Sequence, residues 1–311
     1  MFEVRCFRLD SASTLLPRRS QAKAGQPFNP STNLKTPITN RLRQIRHVAL
    51  DMDGTVYLNN TVFPETAPFL ALLARLGIGH TFLTNNPSRS ASEYLAHLNS
   101  MGIVATAEQL YTSTQATIDY LKKNHPHVRR LFVLGTSGLC DELKNAGFEL
   151  MPDDPNTPPD AVLVGFDKTL TYARLCRAAW WIKQGKPFFA TNPDLVCPTD
   201  EPTVLVDCGS ITAALEKAAG RGPQAVLGKP DPAMLRGILH RHSLEPENLA
   251  MIGDRLYTDM TMAHRAGILG ILVLTGEATA AEAEKHIPQP DLIVPTLKEF
   301  GEQLNFASTG R

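Results

Sequence analysis

The stretch His47-Val48-Ala49-Leu50-Asp51-Met52-Asp53-Gly54-Thr55 sets two carboxylates two residues apart at the end of an apolar run, with a glycine directly after them. A short apolar run closed by a glycine turn reads as a buried strand of a parallel sheet. The carboxyl ends of such strands are where open α/β sheets bind their ligands. In an extended chain Asp51 and Asp53 face the same way. Neighbouring carboxylates repel, so such a pair persists where a cation lies between them or a proton is shared. A pair of acidic turn or N-cap residues is the plainer account of this stretch alone, and the rest of the chain reduces its weight.

Three more apolar runs end in polar cargo. Ile78 to Leu83 leads into Thr84-Asn85-Asn86, Ala225-Val226-Leu227 into Gly228-Lys229-Pro230, and Leu249 to Ile252 into Gly253-Asp254, with Asp259 a turn further on. As parallel neighbours, these strands would collect their ends along one sheet edge. Carboxylates without a Cys or His cluster point to a hard, oxygen-liganded cation, Mg²⁺. The lysine, hydroxyl and amides supply donors for an anion. Together they describe a site for a phosphoryl group. A carboxylate that attacks phosphorus forms an aspartyl-phosphate, which water then hydrolyses.

The elements around these clusters alternate strand and helix, which argues for right-handed βαβ units in a parallel sheet. Pro64-Glu65 opens a helix that Gly77 closes, and Ser90 with Glu93 forms a capping box for the next. Val56 to Asn60 predicts a hairpin or flap beside the acidic pair, and Asp231-Pro232 a helix start after Lys229. From Arg129 the alternation restarts, with strands at Leu131–Leu134, Ala161–Val164 and Phe188–Ala190. We therefore expect a core domain over 45–125 and 209–300 and an inserted α/β cap over 126–208. A disordered basic tail is expected at 1–44 and a short C-terminal tail at 301–311.

The 311 residues carry 31 basic and 31 acidic side chains and are 43% hydrophobic. This balance speaks against a broad surface for nucleic acid or anionic membrane. Five widely spaced cysteines without a C-x-x-C suit reduced thiols in the cytoplasm better than disulfides or zinc. No apolar run approaches the ~18 residues of a membrane span. The arginine-rich, acid-poor start reads as an organelle transit peptide, a disordered tail or an upstream start codon. A second Gly-Lys-Pro at 185–187 follows a helix, so Lys186 is read as solvated. Lys229 is preferred because a helix and an acidic strand end follow it. Neither tripeptide has the glycine spacing of a Walker A loop.

In order, DMDGT (51–55), TNN (84–86), GKP (228–230) and GDRLYTD (253–259) resemble the four motifs of the haloacid dehalogenase superfamily. The long insertion with VGFDKTLTY (164–172) and ATNPD (190–194) is similar to subfamily IIA, the NagD-, phosphoglycolate- and pyridoxal-phosphate-phosphatase-like branch. The likeness covers about residues 45–300. It implies a Rossmann-like α/β core with an inserted cap, and Mg²⁺-dependent hydrolysis of a small phosphorylated metabolite. By resemblance Asp51 is the nucleophile and Asp53 the general acid and base. Thr84 and Lys229 hold phosphoryl oxygens, with Asn85 and Asn86 nearby. The Asp51 carboxylate, the Asp53 carbonyl and Asp254 bind the metal, and Asp259 orients a ligand water. Asn192 and Asp194 of the cap are candidates for substrate contact, and the likeness implies a homodimer formed through the cap. The motifs leave two alternatives open: a phosphotransferase or phosphomutase with the same nucleophile, and a phospho-ligand sensor without turnover.

Overall fold

Strand β1 (His47–Asp51) is buried at every residue and lies inside a parallel sheet, between β4 (Gly79–Thr84) and β13 (Leu249–Gly253). The structure is a computed structural model that describes residues 37–197, 199 and 202–310. The expectations for residues 1–36 lie outside the described residues. With β5 (Leu110–Thr112), β14 (Leu269–Val273) and β15 (Leu292–Val294), the core sheet has six strands in the order β15-β14-β13-β1-β4-β5. Val48 and Leu50 pack with Phe69, Phe82 and Phe300 on one face, while Ala49 packs with Met234, Met251 and Met262 on the other. Helices on both faces explain why Val48 to Leu50, in the middle of the strand, are all apolar.

Local signals placed the elements nearest the site. The helix Thr66–Leu76 ends at Gly77, and the capping box of Ser90 and Glu93 opens the helix Ala91–Ser100. The flap expected after Thr55 is an antiparallel hairpin, β2 (Tyr57–Leu58) with β3 (Thr61–Val62). Ahead of the helix Ala233–His242, Asp231 Oδ1 accepts from the Ala233 N–H at 2.8 Å, so it caps the start with Pro232 already in the helical conformation.

The inserted unit is a second parallel sheet, in the order β12-β9-β8-β6-β7. Its strands are β6 (Arg130–Leu134), β7 (Glu149–Leu150), β8 (Ala161–Val164), β9 (Phe188–Ala190) and β12 (Ala225–Val226). Between β9 and β12 in sequence, β10 (Val196–Cys197) and β11 (Leu205–Val206) form a separate antiparallel hairpin.

Three expected boundaries are corrected. The cap does not end at 208. Cys208, Ile211 and Leu215 of the helix Cys208–Ala219 pack with Phe132, Val164 and Trp181, and Ala225 and Val226 pair with Phe189 and Ala190. The open edge of β9 decides that pairing, and a two-residue strand carries no sign of which sheet it joins. Residues 38–44 are not tail: the helix Ile38–Gln44 buries Leu42, and Arg43 Nε donates to the Ala307 carbonyl at 3.1 Å. Nor are the described residues of the expected C-terminal tail at 301–311 a tail, because the helix Leu297–Thr309 buries Leu304 and Ala307 against the core.

Candidate active site

Asp51 is the last residue of β1, and one of its oxygens meets the Lys229 ammonium. The same ammonium lies 2.7 Å from Asp259 Oδ1. Asp51 is 6% exposed and Lys229 4%, so this is a buried charge pair that water does little to screen. Burial works against the lysine's charge, but Asp259 and Asp51 outweigh it and hold the amine above its ordinary pKa. Thr55 Oγ1 reaches the other Asp51 oxygen at 3.5 Å.

Asp254 follows β13, and a turn of π-helix over Leu256–Met260 brings Asp259 back beside it. Such wide turns recur at functional sites because they re-aim a single side chain. The Arg255 N–H donates to Asp259 Oδ2 at 3.2 Å, and the Glu277 N–H to Asp254 Oδ2 at 2.7 Å. Asp51, Asp254 and Asp259 each offer an oxygen within 4.8 Å of the others, and Asp254 Oδ1 is buried without a hydrogen-bond partner. Burial, then the charges of Asp51 and Asp259, push the Asp254 carboxyl above the carboxylate range. Burial pushes Asp259 up as well, with Lys229 opposing it. Three crowded carboxylates and one orphaned oxygen fit a hard divalent cation.

A cavity of about 380 Å³ opens over these groups, lined by Asp51, Asp53, Thr84, Asn86, Asp194 and Lys229 among others. Asp53 lies past the end of β1, where its backbone bridges to Tyr57 and its Oδ1 accepts from the Asn59 N–H at 3.2 Å. The flap therefore aims Asp53, in place of the strand alternation expected from sequence, yet both aspartates reach one cavity. Thr84 ends β4, and its hydroxyl accepts the Asn86 N–H at 3.1 Å. Asn86 Oδ1 accepts the Ser88 N–H at 2.9 Å.

Of the cap and amide candidates, Asn85 and Asp194 line the cavity and Asn192 does not. Asn85, a candidate for phosphate or substrate contact, lines the cavity, and its amide is also engaged within the protein. Its Nδ2 donates to the Lys229 carbonyl at 2.9 Å and to Asp194 Oδ2 at 3.1 Å, and its Oδ1 accepts the Lys229 N–H at 2.6 Å. It is a clasp on the lysine loop. Asn192 is fully buried and is not among the cavity's lining residues; its Nδ2 donates to Asp194 Oδ2 at 3.2 Å and Asp207 Oδ1 at 3.4 Å. It positions Asp194, which does line the cavity. Lys229 was expected at the end of a core strand. It arrives instead from β12 of the cap sheet, because the chain recrosses to the core between Val226 and Lys229. Sequence reasoning missed Thr275, Glu277 and Asp207. Thr275 Oγ1 donates to the Gly54 carbonyl at 2.6 Å, and burial first pushes the cavity-lining Asp207 up to about 6. The signal for the first two was present, since Thr275-Gly276-Glu277 also follows an apolar strand.

Known proteins share this arrangement. A family model described as haloacid dehalogenase-like hydrolase matches residues 48–149, and a second HAD-like hydrolase model matches 226–300. The ribonucleotide monophosphatase NagD of Escherichia coli is 32% identical over 256 residues, spanning 82% of this chain and 98% of that protein. The chain belongs to the haloacid dehalogenase-like hydrolases. Within that family it falls in subfamily IIA and is a phosphoric monoester hydrolase. A 4-nitrophenylphosphatase from Thermotoga maritima superposes with a TM-score of 0.79 at 38% identity, over 84% of this chain and 98% of that one. The glycerol phosphate phosphatase of Mycobacterium tuberculosis, in complex with magnesium, superposes with a TM-score of 0.76 at 32% identity, over 85% and 77%.

Proposed function

We propose that this haloacid dehalogenase-like hydrolase cleaves small phosphomonoesters in a Mg²⁺-dependent reaction through an aspartyl-phosphate on Asp51. The observation that carries the reading is the buried Asp51–Lys229 pair at the cavity floor, with Asp254 and Asp259 within 4.8 Å of Asp51. Asp51 attacks phosphorus while the bond to the leaving alcohol breaks, and Asp53 gives its proton to the departing oxygen. Asp53 then takes a proton from the water that opens the acyl-phosphate, which frees the Asp51 carboxylate and returns Asp53 to its protonated form. Lys229 offsets charge on the equatorial phosphoryl oxygens. Asp51, the Asp53 carbonyl and Asp254 would hold Mg²⁺, with Asp259 next to them. When bound, the ion neutralises repulsion between carboxylate and phosphate dianion.

A cavity of about 380 Å³ suits small phosphorylated metabolites, the class to which phosphoglycolate, sugar, nucleotide and pyridoxal phosphates belong. The phosphatase relatives named for ribonucleotide, nitrophenyl and glycerol phosphates support that breadth. No helix among the described residues is long and apolar enough to cross a membrane, and Cys140, Cys176, Cys197 and Cys208 are free thiols. Both suit the cytoplasm, and we carry forward a homodimer through the cap as part of this proposal. The test is phosphate release from a panel of esters with Mg²⁺ or EDTA, with Asp51→Asn as control. We expect release that EDTA abolishes and the substitution lowers by at least about a thousandfold. Transfer to a sugar acceptor without release would replace hydrolysis by phosphotransfer, and binding without turnover would leave a sensor.

A further inference from the structure

Arg255 stands in the wall between the cavity and the outer surface. It lines the cavity with Asp51, Lys229 and Thr258, and also lines an outer groove with Tyr257 and Glu277. Its Nε pairs with Glu277 Oε2 at 3.1 Å, and that oxygen accepts the Tyr257 hydroxyl at 3.2 Å. The Arg255 side chain is 24% exposed and that of Glu277 50%, so the pair runs from the buried site toward solvent.

The backbones and side chains of these two residues have separate tasks. Their N–H groups hold Asp259 and Asp254, whatever side chains they carry. The side chains contribute charge. Among the described residues, Lys229 brings positive charge to Asp51 and Asp259, and Arg255 brings it to Asp51, Asp254 and Asp259. Lys229 is already bonded to Asp51 and Asp259. Burial opposes the charge of Arg255, and Asp51, then Tyr257, Asp254 and Asp259 outweigh burial. A fixed positive charge there repels a divalent cation bound by these carboxylates and attracts a phosphate dianion, so it acts on the two ligands with opposite sign.

We propose that Arg255, held outward by Glu277, is a positioning residue that sets the balance between cation and phosphate affinity at this site, with Glu277 as its counterweight. The inference rests on the phosphatase reading above. It goes beyond that reading in assigning work to two side chains outside the nucleophile, the acid and the metal carboxylates.

The test uses Arg255→Met and Glu277→Gln in the full chain. Affinities come from thermal-shift titrations with Mg²⁺ alone and with inorganic phosphate at saturating Mg²⁺, so turnover is not the readout. For Arg255→Met we expect Mg²⁺ to bind about three- to tenfold tighter and phosphate about tenfold weaker. For Glu277→Gln we expect both shifts reversed and smaller, about twofold, because that carboxylate is half exposed. A purely structural role would weaken both ligands together. Affinities that move in the same direction in Arg255→Met, or do not move, overturn the proposal. So does Glu277→Gln behaving like Arg255→Met. A wild type that shows no shift with Mg²⁺ or phosphate overturns the hydrolase reading itself, and the role of Arg255 falls with it.

Discussion

The tripeptide Gly-Lys-Pro occurs twice, at 185–187 and 228–230, and the two copies have different tasks. Both glycines adopt left-handed backbone angles, φ 91° at Gly185 and 74° at Gly228. Both lysines lie close to strands of the cap sheet, one entering β9 and one leaving β12. The surroundings differ. Gly185 ends a helix with open space around it, whereas a Cβ on Gly228 would lie 2.7 Å from Asn85 Oδ1 and 2.8 Å from the Thr191 carbonyl. Lys186 is only half-buried, with its carbonyl accepting from Arg221, while Lys229 is buried on two carboxylates. The tripeptide supplies a turn and a cation, and its neighbours decide whether the cation reaches the chemistry.

Removing the two charges should separate the copies most sharply. Lys229→Met leaves Asp51 and Asp259 without their cation, and we expect kcat/KM to fall by about a hundred- to a thousandfold. Lys186→Met should stay within about twofold of wild type. Steady-state kinetics on any accepted ester checks both, and equal losses would abolish the distinction. The glycines come next. Gly228→Ala combines left-handed strain with a close contact and should cost about 2–4 kcal/mol. Gly185→Ala meets only the strain, about 1 kcal/mol. Urea unfolding curves measure the difference.

The smallest effect concerns pH. Lys229 has its pKa raised from 10.5 in the folded protein, so its stabilising contribution is complete below that value. It declines as pH rises through the folded-state value. The melting temperature of Lys229→Met should therefore fall less steeply than that of wild type above about pH 10.5, whatever its starting value. A wild-type slope in the variant would show that Lys229 is not the group titrating.

Legibility followed the range of the interactions. The strands at 47–51 and 249–253, the helix ends at Gly77 and Ser90, and the aspartates at 51, 53, 254 and 259 could be read because their signals are local. The task of Asn85 could not, because its partners lie at Asp194 and Lys229, far along the chain. The cap boundary was hidden for the same reason, since β12 is two residues long and is defined by its pairing with β9. The C-terminal helix was a different failure. Thr296 and Glu299 form a capping box and Phe300, Leu304 and Ala307 mark one face, but Gly301 weakens the helical pattern. That glycine lets the helix approach Phe69 and Leu72, where a Cβ would sit 3.1–3.2 Å from their side chains.

The route of the chain out of the cap sets the terms for exchanging caps between relatives. A graft cut near residue 208 would strand the helix Cys208–Ala219 and β12 on the recipient, and leave the donor sheet with an unpaired β9 edge. The return junction belongs at Leu227, between Val226 and Gly228. There the last pairing of the cap gives way to the Asn85 clasp on Lys229, so the seam runs right up to the buried ammonium.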